Sequence, residues 1–189
     1  MKPLEAQHDP ELPVIEAIQQ GDPYALDEFM RRHGRWVRGV IFAALGRMDE
    51  VDDVAQRVWM QVWREARRLE EPARWRSWLY RIARNAAYDA HRERQRRRRL
   101  LGGVVGRWLG LEPAAPAADQ TIALDERRQA LYTAIGELPA MYREPFVLKH
   151  LEDWSYQQIA EALEIPVDTV QTRLVRARRR LREKLAGKV

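Results

Sequence analysis

A chain of 189 residues is long enough for one domain or two small ones, and with no cysteine it has neither a disulfide framework nor a thiolate metal site. Its 33 lysines and arginines against 28 acids leave a formal net charge of only +5, yet the sequence pI of about 9.8 and the clustering of arginines point to a polyanionic partner. No stretch approaches the roughly eighteen uncharged apolar residues of a membrane span, and Met1 to Gln20 carries acids and prolines where a signal peptide has an apolar core. A soluble, cytoplasmic protein is therefore expected.

Residues 1 to 10 read as a loose lead-in, followed by a helix from Glu11 to Gln20 that stops at Gly21. Asp22 before Pro23 is an N-cap with proline at the first helical position. The helix it opens draws core from Tyr24, Phe29, Val37, Val40, Ile41 and Leu45 and ends at Gly46. A third helix starts near Asp49. Val51, Val54, Val58, Trp59, Val62, Trp63, Ala66 and Leu69 give it a broad buried face, and Glu71-Pro72 stops it. The acids Asp49, Glu50, Asp52 and Asp53 at its start suit the positive end of the helix dipole, which accounts for one or two of them.

The fourth helix runs from about Ala73 into the arginines. Leu79, Ile82, Ala83, Ala86 and Ala90 form its expected buried stripe, while Arg74, Arg76, Arg81, Asn85, Tyr88, Asp89 and Arg92 occupy other positions. Aromatic rings interleaved with cations are the equipment of single-strand binders; Trp75 and Trp78 divide evenly between that use and core. The run Arg96 to Arg99 is too dense to be core and is expected to track phosphates.

From Leu100 to Gln120 glycine, proline and alanine take over, marking a flexible linker. Fully extended, about twenty linker residues reach roughly 65 Å. Its first half is apolar, with Leu100, Leu101, Val104, Val105, Trp108, Leu109 and Leu111. That segment either docks on a partner or folds back on its own domains.

Beyond the linker, Pro145 sits early in the helix after Pro139, where a kink or a late start is expected. Ser155 with Gln158 forms a capping box for a short helix that ends at Glu164 and Ile165 before Pro166. A last helix follows at once. Val170, Leu174, Ala177, Leu181 and Leu185 form its inward stripe. Its opposite face gathers Thr169, Thr172, Arg173, Arg176, Arg179 and Arg180, hydroxyls and guanidiniums that can reach base edges and phosphates. Capped helix, tight turn and arginine-studded helix outline a helix-turn-helix DNA reader. With no segment showing sustained two-residue alternation, the expected fold is all-α. It comprises two small helical domains, residues 1–99 and 121–189, joined by a linker at 100–120, with the helix-turn-helix in the second.

The run Leu138-Pro139, Tyr142-Arg143-Glu144, Phe146, Leu148, then Trp154 to Leu163, Thr169 to Leu174 and Arg176-Ala177-Arg178 closely resembles the promoter-reading C-terminal region of bacterial sigma factors. Asp52-Asp53-Val54-Ala55-Gln56 with Trp59 and Trp63, and Trp78 to Asn85, look like their polymerase-binding and promoter-melting region. Holding only these two regions, the chain resembles the extracytoplasmic-function group.

The resemblance implies binding to core RNA polymerase and promoter DNA, initiation in a stress or envelope response, an inhibitory anti-sigma protein as a further partner, and a monomer when free. Asp52, Asp53, Gln56 and Trp59 would meet polymerase, although Arg57 stands where an acid is usual. Trp75, Trp78, Arg81, Asn85, Tyr88, Asp89, Arg92 and Arg96 would meet the minus-ten element, with Asn85 beside the pocket for a flipped base. Thr169, Gln171, Thr172, Arg173, Arg176, Arg179 and Arg180 would read the minus-thirty-five element. Gln171 replaces a common lysine or arginine, and Asp168 a common glycine. No catalytic constellation, metal-ligand spacing or cofactor motif is visible among the four scattered histidines, His8, His33, His91 and His150, or elsewhere. Two other classes remain: a stand-alone helix-turn-helix regulator, which leaves the acidic and tryptophan-rich helices without a purpose, and a nucleic-acid enzyme, which lacks a catalytic cluster.

Overall fold

The computed structural model describes residues 9–102, 122–150 and 153–186, and every regular element among them is helical. In chain order these are α1 (Leu12–Gln20), α2 (Pro23–Leu45), α3 (Val51–Glu65), α4 (Trp75–Gly102), α5 (Ile122–Gly136), α6 (Ala140–His150), α7 (Tyr156–Leu163) and α8 (Val167–Leu185), with 3-10 turns at Ala66–Arg68 and Pro72–Arg74. The all-α expectation holds. Residues 103–121, which contain most of the apolar segment Leu100 to Leu111, lie outside the described residues. α4 itself runs to Gly102, past the expected boundary at 99.

Local chemistry sets the helix ends. Asp22 accepts hydrogen bonds from the amides of Tyr24 (2.8 Å) and Ala25 (3.4 Å) ahead of Pro23. Gly21 (φ 90°) and Gly46 (φ 74°) close α1 and α2 in the left-handed region. The capping box is complete, Ser155 Oγ accepting from the Gln158 amide and Gln158 Oε1 from the Ser155 amide. Glu164 (φ 55°) ends α7 left-handed without being glycine, and the Ile165 amide reaches back to Ala160 O (3.0 Å). α6 begins directly at Ala140 and continues through Pro145, so the late start expected from that proline does not occur; the donor it removes lies in the second turn of a helix packed on both sides.

The long helix α2 is the hub, packing against α1, α3, α4, α5 and α6. Phe29, Val37, Val40 and Ile41 are buried in it as expected. Tyr24 is not: it lies in the first turn of α2 and is 81 % exposed. Trp63, expected in the buried face of α3, is likewise 38 % exposed. Val170, Leu174, Ala177 and Leu181 of α8 are buried against α6 and α7, as the stripe predicts.

One apolar core runs through both halves. α6 lies along α2 and α7 touches α4. Trp36 of α2 stacks on Trp154 (centroids 5.8 Å apart, planes 15°), Tyr80 of α4 tilts against the same indole (5.7 Å), and Phe42 meets Tyr132 edge-on (5.6 Å). The two helical units are thus docked.

Candidate binding surfaces

The first surface lies at the start of α3. Asp52 and Asp53 occupy its first turn and are exposed, as is Gln56 one turn on. The four acids divide sharply by partner. Asp49 pairs with Arg47, whose hydrogen bond holds that carboxyl below its usual range, and Arg94 of α4 reaches both Asp49 (3.6 Å) and Glu50. Asp52 pairs with Arg38 (2.7 Å), and Asp53 makes no ion pair among the described residues. Asp49 and Glu50 fasten α3 to α4, whereas Asp52 and Asp53 face outward. Arg57 also has a partner of its own, lying 3.5 Å from Glu93 of α4, which is reason enough for a cation at that position.

Beside Gln56 an apolar groove of about 720 Å³ opens between α2 and α3, lined by Leu26, Met30, Trp59, Met60 and Trp63. Trp59 is mostly buried in its floor, while Met60 (59 % exposed) and Trp63 rise at the wall. Sequence reasoning missed this groove. The signal was there in an apolar face too broad for one helix to bury, but it was assigned wholly to the core.

The second surface is a row along α4. Trp78, Arg81, Asn85, Asp89, Arg92 and Arg96 follow at spacings of three and four, and all but the half-buried Trp78 are exposed. Arg92 lies 3.7 Å from Asp89, while Arg97 is paired with Glu93. The side chains of Arg98 and Arg99 lie outside the described residues. Trp75 does not join the row. It is 2 % exposed, packs against Phe29 and His33, and donates its indole N–H to Asp9 (2.9 Å), so its ring is core and unavailable for stacking on a base. Tyr88 sits one row over and is half-buried; its hydroxyl bonds to Glu144 of α6, and that bond, after burial, raises its pKa.

The third surface is the outer face of α8. Gln171, Thr172, Arg176, Arg179 and Arg180 are exposed, and Thr169 and Arg173 are half-buried at its edge. The Thr172 hydroxyl donates back to Asp168 O (2.9 Å), Arg179 lies 3.7 Å from Glu183, and the Arg180 guanidinium rests 5.2 Å from the centre of the Tyr142 ring. Arg176 hydrogen-bonds the Tyr142 hydroxyl and holds its pKa below the ordinary value, which leaves the exposed Gln171 best placed to reach bases. No group of metal-ligating side chains occurs among the described residues, and no described helix is long and apolar enough to cross a membrane.

Comparison with known proteins matches two segments of the chain. Residues 29–97 match sigma-70 region 2, and residues 128–181 match sigma-70 region 4. The chain is 30 % identical over 168 residues to the ECF RNA polymerase sigma factor SigM of Mycobacterium tuberculosis, covering 89 % of this chain and 81 % of that protein. It is 28 % identical over 177 residues to the ECF RNA polymerase sigma factor SigW of Bacillus subtilis, covering 90 % and 94 %. The fold resembles that of CnrH in complex with the cytosolic domain of CnrY (TM-score 0.68, 22 % identity, 96 % of this chain and 100 % of that one). It also resembles RpoE from Bartonella quintana in complex with the anti-sigma factor NepR (TM-score 0.64, 24 % identity, 86 % and 98 %).

Proposed function

The chain belongs to the extracytoplasmic-function group of RNA polymerase sigma factors, and we infer that its three surfaces divide the work of promoter-directed initiation among them. It binds core polymerase and directs transcription from specific promoters; the bond-making chemistry is the polymerase's.

The outward acids Asp52 and Asp53, with Gln56 and the groove floored by Trp59, form the docking face in this reading. The observation that carries it is the contrast within the acidic cluster: Asp49 and Glu50 are held by Arg94, while Asp53 is exposed without an ion pair among the described residues and Gln56, one turn on, lines the apolar groove. Charge at the rim steers and selects, and exposed apolar area at the centre supplies affinity. The α4 row from Trp78 to Arg96 meets the opened minus-ten element, where Asn85 can pair with a flipped base and the arginines follow the backbone. Trp75 acts there only as support. α8 enters the major groove of the minus-thirty-five element through Gln171, Thr172 and Arg176. The setting is the cytoplasm, the stimulus a stress or envelope signal, and an anti-sigma protein is the expected inhibitor. The divisions 1–99 and 121–189 then correspond to a polymerase and minus-ten unit and a minus-thirty-five unit.

Run-off transcription with core polymerase and a pool of genomic fragments tests this, comparing wild type with Asp53→Lys. Discrete start sites that fade with the variant are expected. Fragment binding without core, and no new transcripts with it, would point to a stand-alone regulator.

A further inference from the structure

Arg143 and Glu144, consecutive in α6, are both buried, at 7 % and 4 % exposure, and their side chains reach different helices of the N-terminal unit. Arg143 donates from Nε to Ala43 O (2.6 Å) and from Nη2 to Ala44 O (2.8 Å), two carbonyls of the last turn of α2. Its Nη1 bonds within its own unit to Gly136 O (2.7 Å) and Leu138 O (2.8 Å). A guanidinium is thereby placed at the negative end of α2, on orphan carbonyls that no helical amide can reach. Glu144 accepts from Tyr80 Oη (3.2 Å), Arg84 Nε (3.0 Å) and Tyr88 Oη, all on α4. Each of these Glu144 side-chain hydrogen bonds therefore crosses between the units.

Where the two backbones meet, both residues are glycine. A Cβ on Gly136 would run into Gly46 O, and one on Gly46 would lie 2.8 Å from Gly136 O and collide with the Arg143 guanidinium. Gly136 has no positive φ, so its lack of a side chain answers to the close approach alone.

A docked chain of 189 residues has a radius of gyration of about 16 Å and a diameter of roughly 40 Å. Promoter elements ~50 Å apart exceed that span. Closure also withholds Tyr88 and Arg84, flanking the α4 row, while Asp53, Gln56, Gln171 and Arg176 remain exposed.

We propose that the Arg143-Glu144 pair, seated over the Gly46 and Gly136 backbones, is a lock that holds the free chain closed, able to dock on polymerase but unable to span a promoter until the units separate. The lock rests on the sigma-factor reading for its consequence, not for its existence. Polymerase and promoter must then supply the opening energy, and any variant that opens the lock removes that requirement.

The cysteine-free chain allows a donor and acceptor dye pair at Gln20→Cys and Arg182→Cys, both exposed positions. Transfer efficiency is measured in the free full-length chain for wild type, Glu144→Ala and Gly136→Ala, with circular dichroism to establish folding. Gly136→Ala is the cleaner wedge, since alanine suits the end of α5 when the units are apart. Wild type is expected to show high transfer that drops on adding core polymerase with promoter DNA. The variants are expected to show low transfer at the outset, with the open-to-closed ratio raised on the order of fivefold or more. Low transfer in free wild type, or wild-type transfer in both folded variants, would overturn the lock. Failure to initiate transcription alongside the expected transfer pattern would instead overturn the sigma-factor reading and leave the lock standing.

Discussion

At the scale of single residues, the two shifted histidines link stability to pH. Burial, opposed by Glu11, holds His33 below its ordinary 6.5, and burial with Arg178 and Lys149 does the same for His150. The unfolded chain therefore takes up protons first. Stability from these two sites is complete above pH 6.5 and declines as pH falls through 6.5 toward the folded values, a window above that of the carboxylates. In thermal melts, His33→Gln with His150→Gln is expected to flatten the slope of Tm against pH between about 5 and 7; an unchanged slope would place the titration elsewhere. Neither shift was legible in the sequence, where the four histidines stand scattered without metal-ligand spacing. The capping box at Ser155 was legible because both partners sit three residues apart. Trp75 was not: helical spacing puts it near the row from Trp78 to Arg96, and only the approach of Phe29, His33 and Asp9 assigns the ring to the core.

At the scale of elements, α8 shows how far periodicity carries. Its stripe from Val170 to Leu181 is buried as the spacing requires, and this leaves the opposite face outward without further assumption. Gln171 on that face is exposed, with an amide suited to the adenine edge, whereas arginine matches guanine. Site selection with Gln171→Arg is expected to replace adenine by guanine at one minus-thirty-five position, with about 1–3 kcal/mol of discrimination. Identical motifs would remove Gln171 from base reading. α3 marks the opposite limit. Its apolar face continues through Trp63, but none of the described residues covers that end, so a rule that equates stripe with core fails there.

At the scale of the whole molecule, the docking of α6 on α2 was invisible in advance, because Arg143 and Glu144 look like any solvated pair and their partners lie 56 to 100 residues away. Replacing Arg143 by methionine leaves four carbonyls without this donor, two in each unit and all but Gly136 O in buried bonds. A loss of about 3 kcal/mol is expected. Calorimetry is expected to show one cooperative transition for the wild type and two for the variant, with the variant's calorimetric enthalpy exceeding the van't Hoff value. Retention of one transition would show that the aromatic contacts at Trp36 and Phe42 suffice to couple the units.

The hundred residues between Ala43 and Arg143 also set a clock. A ribosome adding roughly 5–20 residues per second takes about 5–20 s to cover that interval. During that time α2, α3 and then α4 have emerged while the guanidinium that finishes α2 has yet to be made, so its last carbonyls are served by water. Each newly synthesised molecule therefore passes once through a period in which its acidic docking face exists and its closure does not. Polymerase encountered in that period would meet an unclosed chain.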